Sequence, residues 1–261
     1  MYNNQLDGSI VFCTPRMLKS GLLDIKKLDD SVEIRTKYNR GKILLNDSAG
    51  FIFNTIRIGQ KTVGEIIKSV ADHYKVIDSD TLEQDVIESL KMLWSIGIIG
   101  WFGKNPFIER IKGQNIDCIK VTHDYSNAVL RIIKKTDYRT ALVRFNGFNI
   151  PGIRYGLLRN QFIVYASVDD RDMLRSMVML IKNEFYYDVI AIGSVNGFDH
   201  REVKSLVQFV LETLRTPLMA TVLNDESVVN TFLDIGFISV GILEGESKLG
   251  TVNLLYHGGG D

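Results

Sequence analysis

Leu45-Asn46-Asp47-Ser48-Ala49-Gly50-Phe51-Ile52-Phe53 decides how the first hundred residues fold, because a capping residue stands there before apolar residues at helical spacing. Asn46 or Asp47 caps a helix with Ala49, Ile52, Phe53 and Ile56 on one face, and Gly59 stops it. Thr62-Val63-Gly64-Glu65 is a capping box in which the Thr62 hydroxyl takes the Glu65 amide and the Glu65 carboxylate reaches back. The helix after it places Ile66, Ile67, Val70 and Tyr74 together. Asp80-Thr81-Leu82-Glu83 repeats the capping pattern before a third helix, with Leu82, Val86, Leu90, Leu93 and Trp94 inward and Gly97 at its end.

Around these helices lie short β-prone runs. Ile10-Val11-Phe12, Val32-Glu33-Ile34-Arg35-Thr36 and Lys42-Ile43-Leu44-Leu45 precede them, with a hairpin signal at Asn39-Arg40-Gly41, and Ile98-Ile99-Gly100-Trp101-Phe102 closes the pattern. Strands, three helices and a final strand are the order of a winged helix. Gly103-Lys104-Asn105-Pro106 and Lys112-Gly113-Gln114-Asn115 interrupt the periodicity, so the expected domains are residues 1–105 and 115–261. Beyond the boundary, residues 118–121, 140–145 and 161–168 read as strands and 171–186 as a helix. Strands at 189–195, 217–223, 238–243 and 252–256 then alternate with helices at 200–214 and 227–233. The expected fold class is α+β, a winged-helix domain followed by an α/β domain with a mixed central sheet.

At 261 residues, 45% hydrophobic and 24% charged, the chain has the composition of a globular protein. Lys+Arg 31 balance Asp+Glu 31, which argues against a broad nucleic-acid surface, since counterion release needs clustered cations. No apolar run approaches the roughly 20 residues that span a bilayer, and Met1-Tyr2-Asn3-Asn4-Gln5-Leu6-Asp7 lacks the basic start of a secretory signal. A cytoplasmic location without membrane contact is expected. Cys13 and Cys118 are too few and too far apart for a disulfide or metal framework and read as reduced thiols. Asp169-Asp170-Arg171-Asp172 reads as a helix start complementing the macrodipole rather than as a metal site.

Residues 10–102, carried by the motifs around Asn46, Thr62 and Asp85-Val86-Ile87-Glu88-Ser89-Leu90, resemble the PqqD-like peptide-recognition domains. These hold leader peptides for enzymes of ribosomal peptide modification. The resemblance implies that a precursor leader adds as an antiparallel strand to the small sheet and packs on the third helix, the physics of β-augmentation. It puts the edge at Lys42, Ile43 and Leu44, or at the partner strand Ile34-Arg35-Thr36-Lys37, and the groove wall at Leu82, Asp85, Val86, Ser89 and Met92. Arg35, Lys37, Arg40 and Lys42 would suit an acidic leader, although charges of this kind also protect solvated strand edges. Winged helices also read DNA, but Glu83, Asp85 and Glu88 on the third helix would repel phosphates.

The run from Met219 to Phe237, ending in Gly236-Phe237, resembles the fifth strand and fourth helix of GNAT-type N-acyltransferases, a likeness covering residues 188–256. In that family a Gln/Arg-x-x-Gly-x-Gly/Ala loop holds the CoA pyrophosphate, its glycines letting backbone amides approach the anion. Val195, Asn196, Gly197 and Arg201 occupy the matching positions here, but no glycine follows Arg201 at the family spacing and Asp199 brings a carboxylate. The position of the family's tyrosine acid is Phe232, which has no proton to give. His200, Tyr256 and His257 are proton carriers that no spacing links, so the catalytic residues stay unassigned.

Taken together, the resemblances imply a peptide-binding protein of ribosomal peptide modification fused to a GNAT-like domain with a degenerate CoA loop. Acyl-CoA is the one cofactor they suggest. Further readings stay open: an active N-acyltransferase working on the bound peptide, and a non-catalytic adaptor that presents the peptide to a separate modifying enzyme or a winged-helix DNA-binding regulator.

Overall fold

Asn46 supplies the first cap. Its side-chain oxygen accepts from the Ala49 amide at 3.0 Å and makes Asp47 the first residue of α1 (Asp47–Ile58). The structure, a computed structural model, describes residues 9–13, 23–27, 31–36, 39–76, 79–102, 105–113, 116–136, 148–247 and 250–259. The chain falls into two compact units, residues 1–107 and 108–261.

In the first unit Ala49, Ile52, Phe53 and Ile56 of α1 are buried, as their spacing predicts. The Thr62–Glu65 capping box opens α2 (Val63–Tyr74), with the Thr62 amide donating to Glu65 at 2.7 Å and the Glu65 amide to the Thr62 hydroxyl at 3.1 Å. The third helix, α3 (Ser79–Ser95), begins ahead of the expected signal. Asp80 is thus in its first turn, where a carboxylate complements the helix dipole. Val86, Leu90 and Leu93 face inward.

Among the described residues this unit also has two small sheets. One places β1 (Ile10–Cys13) between β5 (Lys61–Thr62) and β6 (Ile99–Phe102), antiparallel throughout. The other has the order β2 (Leu23–Lys27), β3 (Val32–Thr36), β4 (Asn39–Leu45). Two expectations are corrected by it. Residues 34–36 cannot be a free edge, because Ile34 pairs with Ile25 on one side and Ile43 on the other; Lys37 lies outside the described residues. Asn39-Arg40-Gly41 opens a strand rather than forming the turn, since Thr36 already pairs with Asn39. β2 escapes a reading by period because Leu23-Asp24-Ile25-Lys26-Lys27 alternates over too few residues. Gly50 lies where α1 crosses β3: a Cβ there would stand 2.9 Å from Cγ2 of Val32.

The second unit is built on one sheet of order β13-β14-β12-β11-β10-β9-β8-β7. Its strands are β7 (Arg110–Lys112), β8 (Asp117–Lys120), β9 (Ile163–Val168), β10 (Leu174–Lys182), β11 (Tyr187–Ser194), β12 (Leu218–Leu223), β13 (Ile238–Ser247) and β14 (Gly250–His257). Neighbours are antiparallel except β11 and β12, joined in parallel through α6 (His200–Leu214). That parallel pairing is short, running from Tyr187–Leu218 to Val189–Ala220, and beyond it the two strands have no further partners in each other.

Helices cover both faces of this sheet. Val203, Leu206, Val207 and Val210 of α6 and Phe232 of α7 (Glu226–Leu233) pack with Val178, Leu180 and Val189 on one face. Val129 and Ile132 of α4 (Ser126–Lys135) and Ile153 of α5 (Ile150–Leu158) pack with Met177, Met179 and Ile190 on the other. This corrects the helix expected over residues 171–186, which is the strand β10. A strand buried on both faces shows an unbroken apolar run, and such a run has no period to distinguish it from a buried helix. Residues 140–145, expected to form a strand, lie outside the described residues.

Asp169-Asp170-Arg171-Asp172 accordingly links β9 to β10 instead of starting a helix. Asp169 Oδ1 accepts from the amides of Arg171 and Met173, both at 2.9 Å, while Arg110 donates to Asp172 and to the carbonyls of Asp169 and Asp170. Cys118 is a buried free thiol, and burial pushes its pKa up to about 12. Among the described residues no helix is long and apolar enough to cross a membrane, and no group of His, Cys, Asp or Glu is placed to hold a metal.

Candidate functional site

On α3, Asp85, Ser89 and Met92 follow one another at i, i+4 and i+7 and form a stripe outside the buried Val86, Leu90 and Leu93. The stripe lines a cavity of about 520 Å³ together with Glu88, with Leu44 and Leu45 at the end of β4, and with Asn46, Ser48 and Ala49 at the start of α1. A smaller hollow of about 240 Å³ adjoins it, sharing Ser48, Asp85 and Ser89. Its remaining walls are Ile52, Val70, Tyr74, Val76, Leu82 and Val86, and the Tyr74 hydroxyl donates to Asp47 at 2.5 Å.

Of the expected groove residues, Asp85, Ser89 and Met92 therefore meet Leu44 around the larger space, and Leu82 and Val86 line the adjoining hollow with Asp85 and Ser89. β4 is an outer strand of its sheet, and among the described residues no strand pairs with its free side. Leu44 is 63% exposed, against 1% for Leu45, which points to the core. Ile43 is half-buried opposite Ile34 and does not line the cavity.

Of the expected basic edge, the two cations whose side chains are described, Arg35 and Lys42, are paired. Glu33 on β3 binds both Arg35, at 2.9 Å, and Lys42, at 3.2 Å. Burial would raise the Glu33 carboxyl, but the Lys42 and Arg35 hydrogen bonds outweigh it and hold the group below the usual carboxylate range. Arg35 belongs to the central strand, and Lys37 is outside the described residues. The charged residues lining the larger cavity are Asp85 and Glu88, both acidic. The edge residues of α3 point to Asp85 from sequence alone. Glu88, three residues on, and the α1 contributors Asn46, Ser48 and Ala49 escape that reading, although the same helical spacing and cap position mark them.

In the second unit, Val195, Asn196 and Gly197 form a tight turn after β11. The Ser194 amide donates to the Gly197 carbonyl at 2.6 Å and the Gly197 amide returns to the Ser194 carbonyl at 3.1 Å, with Gly197 at φ +98 as only glycine adopts readily. The amides of Val195 and Asn196 are engaged as well, by the Arg175 carbonyl and the Ser194 hydroxyl. Asp199 caps α6, its Oδ1 accepting from the amides of Arg201 and Glu202 at 3.0 and 3.1 Å. A carboxylate of the chain itself thus stands where a helix N-terminus would otherwise meet an anion. Glu202 adds a further negative group, bound to Arg175 at 2.7 Å.

Phe232 is 1% exposed and packs edge-on against Phe237, a core position rather than a site. His200 Nδ1 lies 2.6 Å from the Thr231 hydroxyl, and His257 Nδ1 accepts from the Gly259 amide. Both rings are thereby tied to neighbouring structure. His123, which no sequence motif marks, is 4% exposed with Asp124 at 3.3 Å, and burial lowers its pKa to about 4.

The PqqD family profile, described as coenzyme PQQ synthesis protein D, matches residues 23–99. No curated protein matches the chain by sequence. Among solved structures, the ribosomal-protein-S5-alanine acetyltransferase of Vibrio fischeri is 12% identical, with 59% of this chain and 98% of that one covered at a TM-score of 0.44. A spermidine N-acetyltransferase mutant from Vibrio cholerae is 12% identical over 56% of this chain and 94% of its own, with a TM-score of 0.47. A GNAT family acetyltransferase from Bacillus cereus is 16% identical, covering 55% and 97% at 0.41. The chain is thus similar to the PqqD family over residues 23–99, and these are followed by an α/β unit built on one mixed sheet.

Proposed function

We propose that the N-terminal unit holds a precursor leader peptide as an added antiparallel strand on β4, with peptide side chains set against α3. The observation that carries this reading is the side of β4 that no described strand pairs with, beside a cavity lined by Leu44, Asp85, Ser89 and Met92. An unpaired edge offers backbone donors and acceptors, and a neighbouring groove offers selectivity. The GNAT-like unit receives the held peptide in a context of peptide modification. In this reading its ordinary pyrophosphate position is closed, because Asp199 already uses the helix amides that a phosphate would need.

Peptide capture by the full chain tests the first part. Ser89→Arg or Met92→Arg places a cation where a peptide side chain is desolvated, and each is expected to weaken capture by about 2–4 kcal/mol. Unchanged capture by both variants would move the site elsewhere.

A second reading, acyl transfer to the peptide, is favoured by one observation: β11 and β12 part after Val189 and Ala220, leaving strand amides of β11 between them as candidate oxyanion donors. Calorimetry with acetyl-CoA separates the two. Absence of saturable binding at millimolar ligand supports the closed donor position, whereas micromolar binding would restore the transferase.

A further inference from the structure

We propose that the peptide accepted by the β4–α3 groove is basic and apolar, with a lysine or arginine beside Asp85 and Glu88 and, next to it, one large apolar side chain in the smaller hollow. The proposal rests on the peptide-holding reading above and names its ligand class.

Charge decides the first half. Asp85 and Glu88 are the charged side chains among those lining the larger cavity, both are exposed, and neither is tied up in an ion pair with a described residue. Of the four cations from which an acidic ligand is expected, Arg35 and Lys42 are already bound to Glu33, and the side chains of Lys37 and Arg40 lie outside the described ones. A peptide strand laid on β4 therefore meets carboxylates on its α3 side with no described cation lining the cavity to balance them. Acidic segments are repelled from such a wall and basic ones are drawn to it.

Shape decides the second half. The hollow of about 240 Å³ has room for a single large side chain rather than a stretch of backbone, and Ile52, Val70 and Val86 in its walls are buried. Filling it with a leucine or phenylalanine removes apolar surface from water on both partners. Asp85 borders both spaces, so the cation and the apolar anchor are close neighbours along the peptide.

A random-peptide phage library panned on the full chain tests this directly. Wild-type protein is expected to enrich peptides that carry Lys or Arg next to Leu, Ile or Phe. The double variant Asp85→Asn, Glu88→Gln changes only exposed groups; it should lose the preference for Lys and Arg and bind a synthesised wild-type winner about fivefold more weakly. Replacing the apolar residue of that winner by alanine should weaken it about tenfold or more. Enrichment of acidic or charge-indifferent peptides that Ser89→Arg still abolishes would overturn the proposal and leave peptide holding intact. Failure of the wild type to enrich any peptide, or binding that survives both Ser89→Arg and Met92→Arg, would overturn both.

Discussion

At the scale of single residues, three positions carry sharp expectations. Gly50 sits mid-helix, where alanine would add about 1 kcal/mol of helix propensity. Its Cβ would nonetheless stand 2.9 Å from Val32 Cγ2, and overpacking of that kind costs about 1–3 kcal/mol. Gly50→Ala is therefore expected to lower the urea midpoint, and pairing it with Val32→Ala to recover part of the loss. Asp199→Ala removes the cap of α6 and should cost about 1 kcal/mol by the same measurement. His123 gives a pH dependence. Burial lowers its pKa to about 4, Asp124 opposes that and Arg154 reinforces it, so the folded protein keeps the ring neutral. The unfolded chain takes up the proton first, which leaves stability untouched above about pH 6.5 and erodes it between there and pH 4, by at most about 1.4 kcal/mol per pH unit. His123→Gln should show a smaller drop in urea midpoint between about pH 7 and about pH 5 than the wild type. An equal drop in both would place the effect elsewhere.

At the scale of elements, legibility tracks period. The helices α1 and α2 can be read because a cap, an apolar stripe and a stop agree in each, as Asn46, Ile52 and Gly59 do in α1. β10 cannot, because Met177, Val178, Met179 and Leu180 are all fully buried and the run carries no alternation. Which strand of a hairpin is the edge is illegible for a different reason. The answer depends on β2, whose Leu23–Lys27 segment pairs with β3 and is too short to announce itself. The groove is half legible: spacing along α3 places Asp85, Ser89 and Met92 together, whereas the α1 side requires knowing that β4 runs straight into the Asn46 cap. Strand addition on β4 makes an element-level prediction. Hydrogen exchange should slow across Asn39–Leu45 when an enriched peptide is added, with little change in β3, whose two sides are already paired. Slowing confined to another strand would place the peptide elsewhere.

At the scale of the whole molecule, the chain divides between Phe107 and Ile108 into units that each own a core, Phe53 and Leu90 among the residues of one and Phe232 and Val207 among those of the other. Residues 1–107 are expected to fold alone and to unfold in one cooperative urea transition, because among the described residues three helices pack with two sheets. Broad, non-cooperative unfolding of that fragment would show that its stability is borrowed. Composition alone could not have separated the two units. What separates them is a lapse of period around Gly103-Lys104-Asn105-Pro106, followed by strands long enough to cross a large sheet.

The hollow beside Asp85 has a consequence for pairing geometry. Side chains on a strand alternate between faces, so a bound strand that slipped by one residue along β4 would turn every one of its side chains to the wrong side. Backbone hydrogen bonds alone do not prevent such a slip, since every position offers the same donors and acceptors. One anchored apolar residue does, because the slipped strand leaves the hollow of about 240 Å³ empty. For a peptide held as proposed, that hollow would fix what a tight turn fixes within a hairpin: which residue faces which, and hence how far along the peptide any segment beyond the anchor begins.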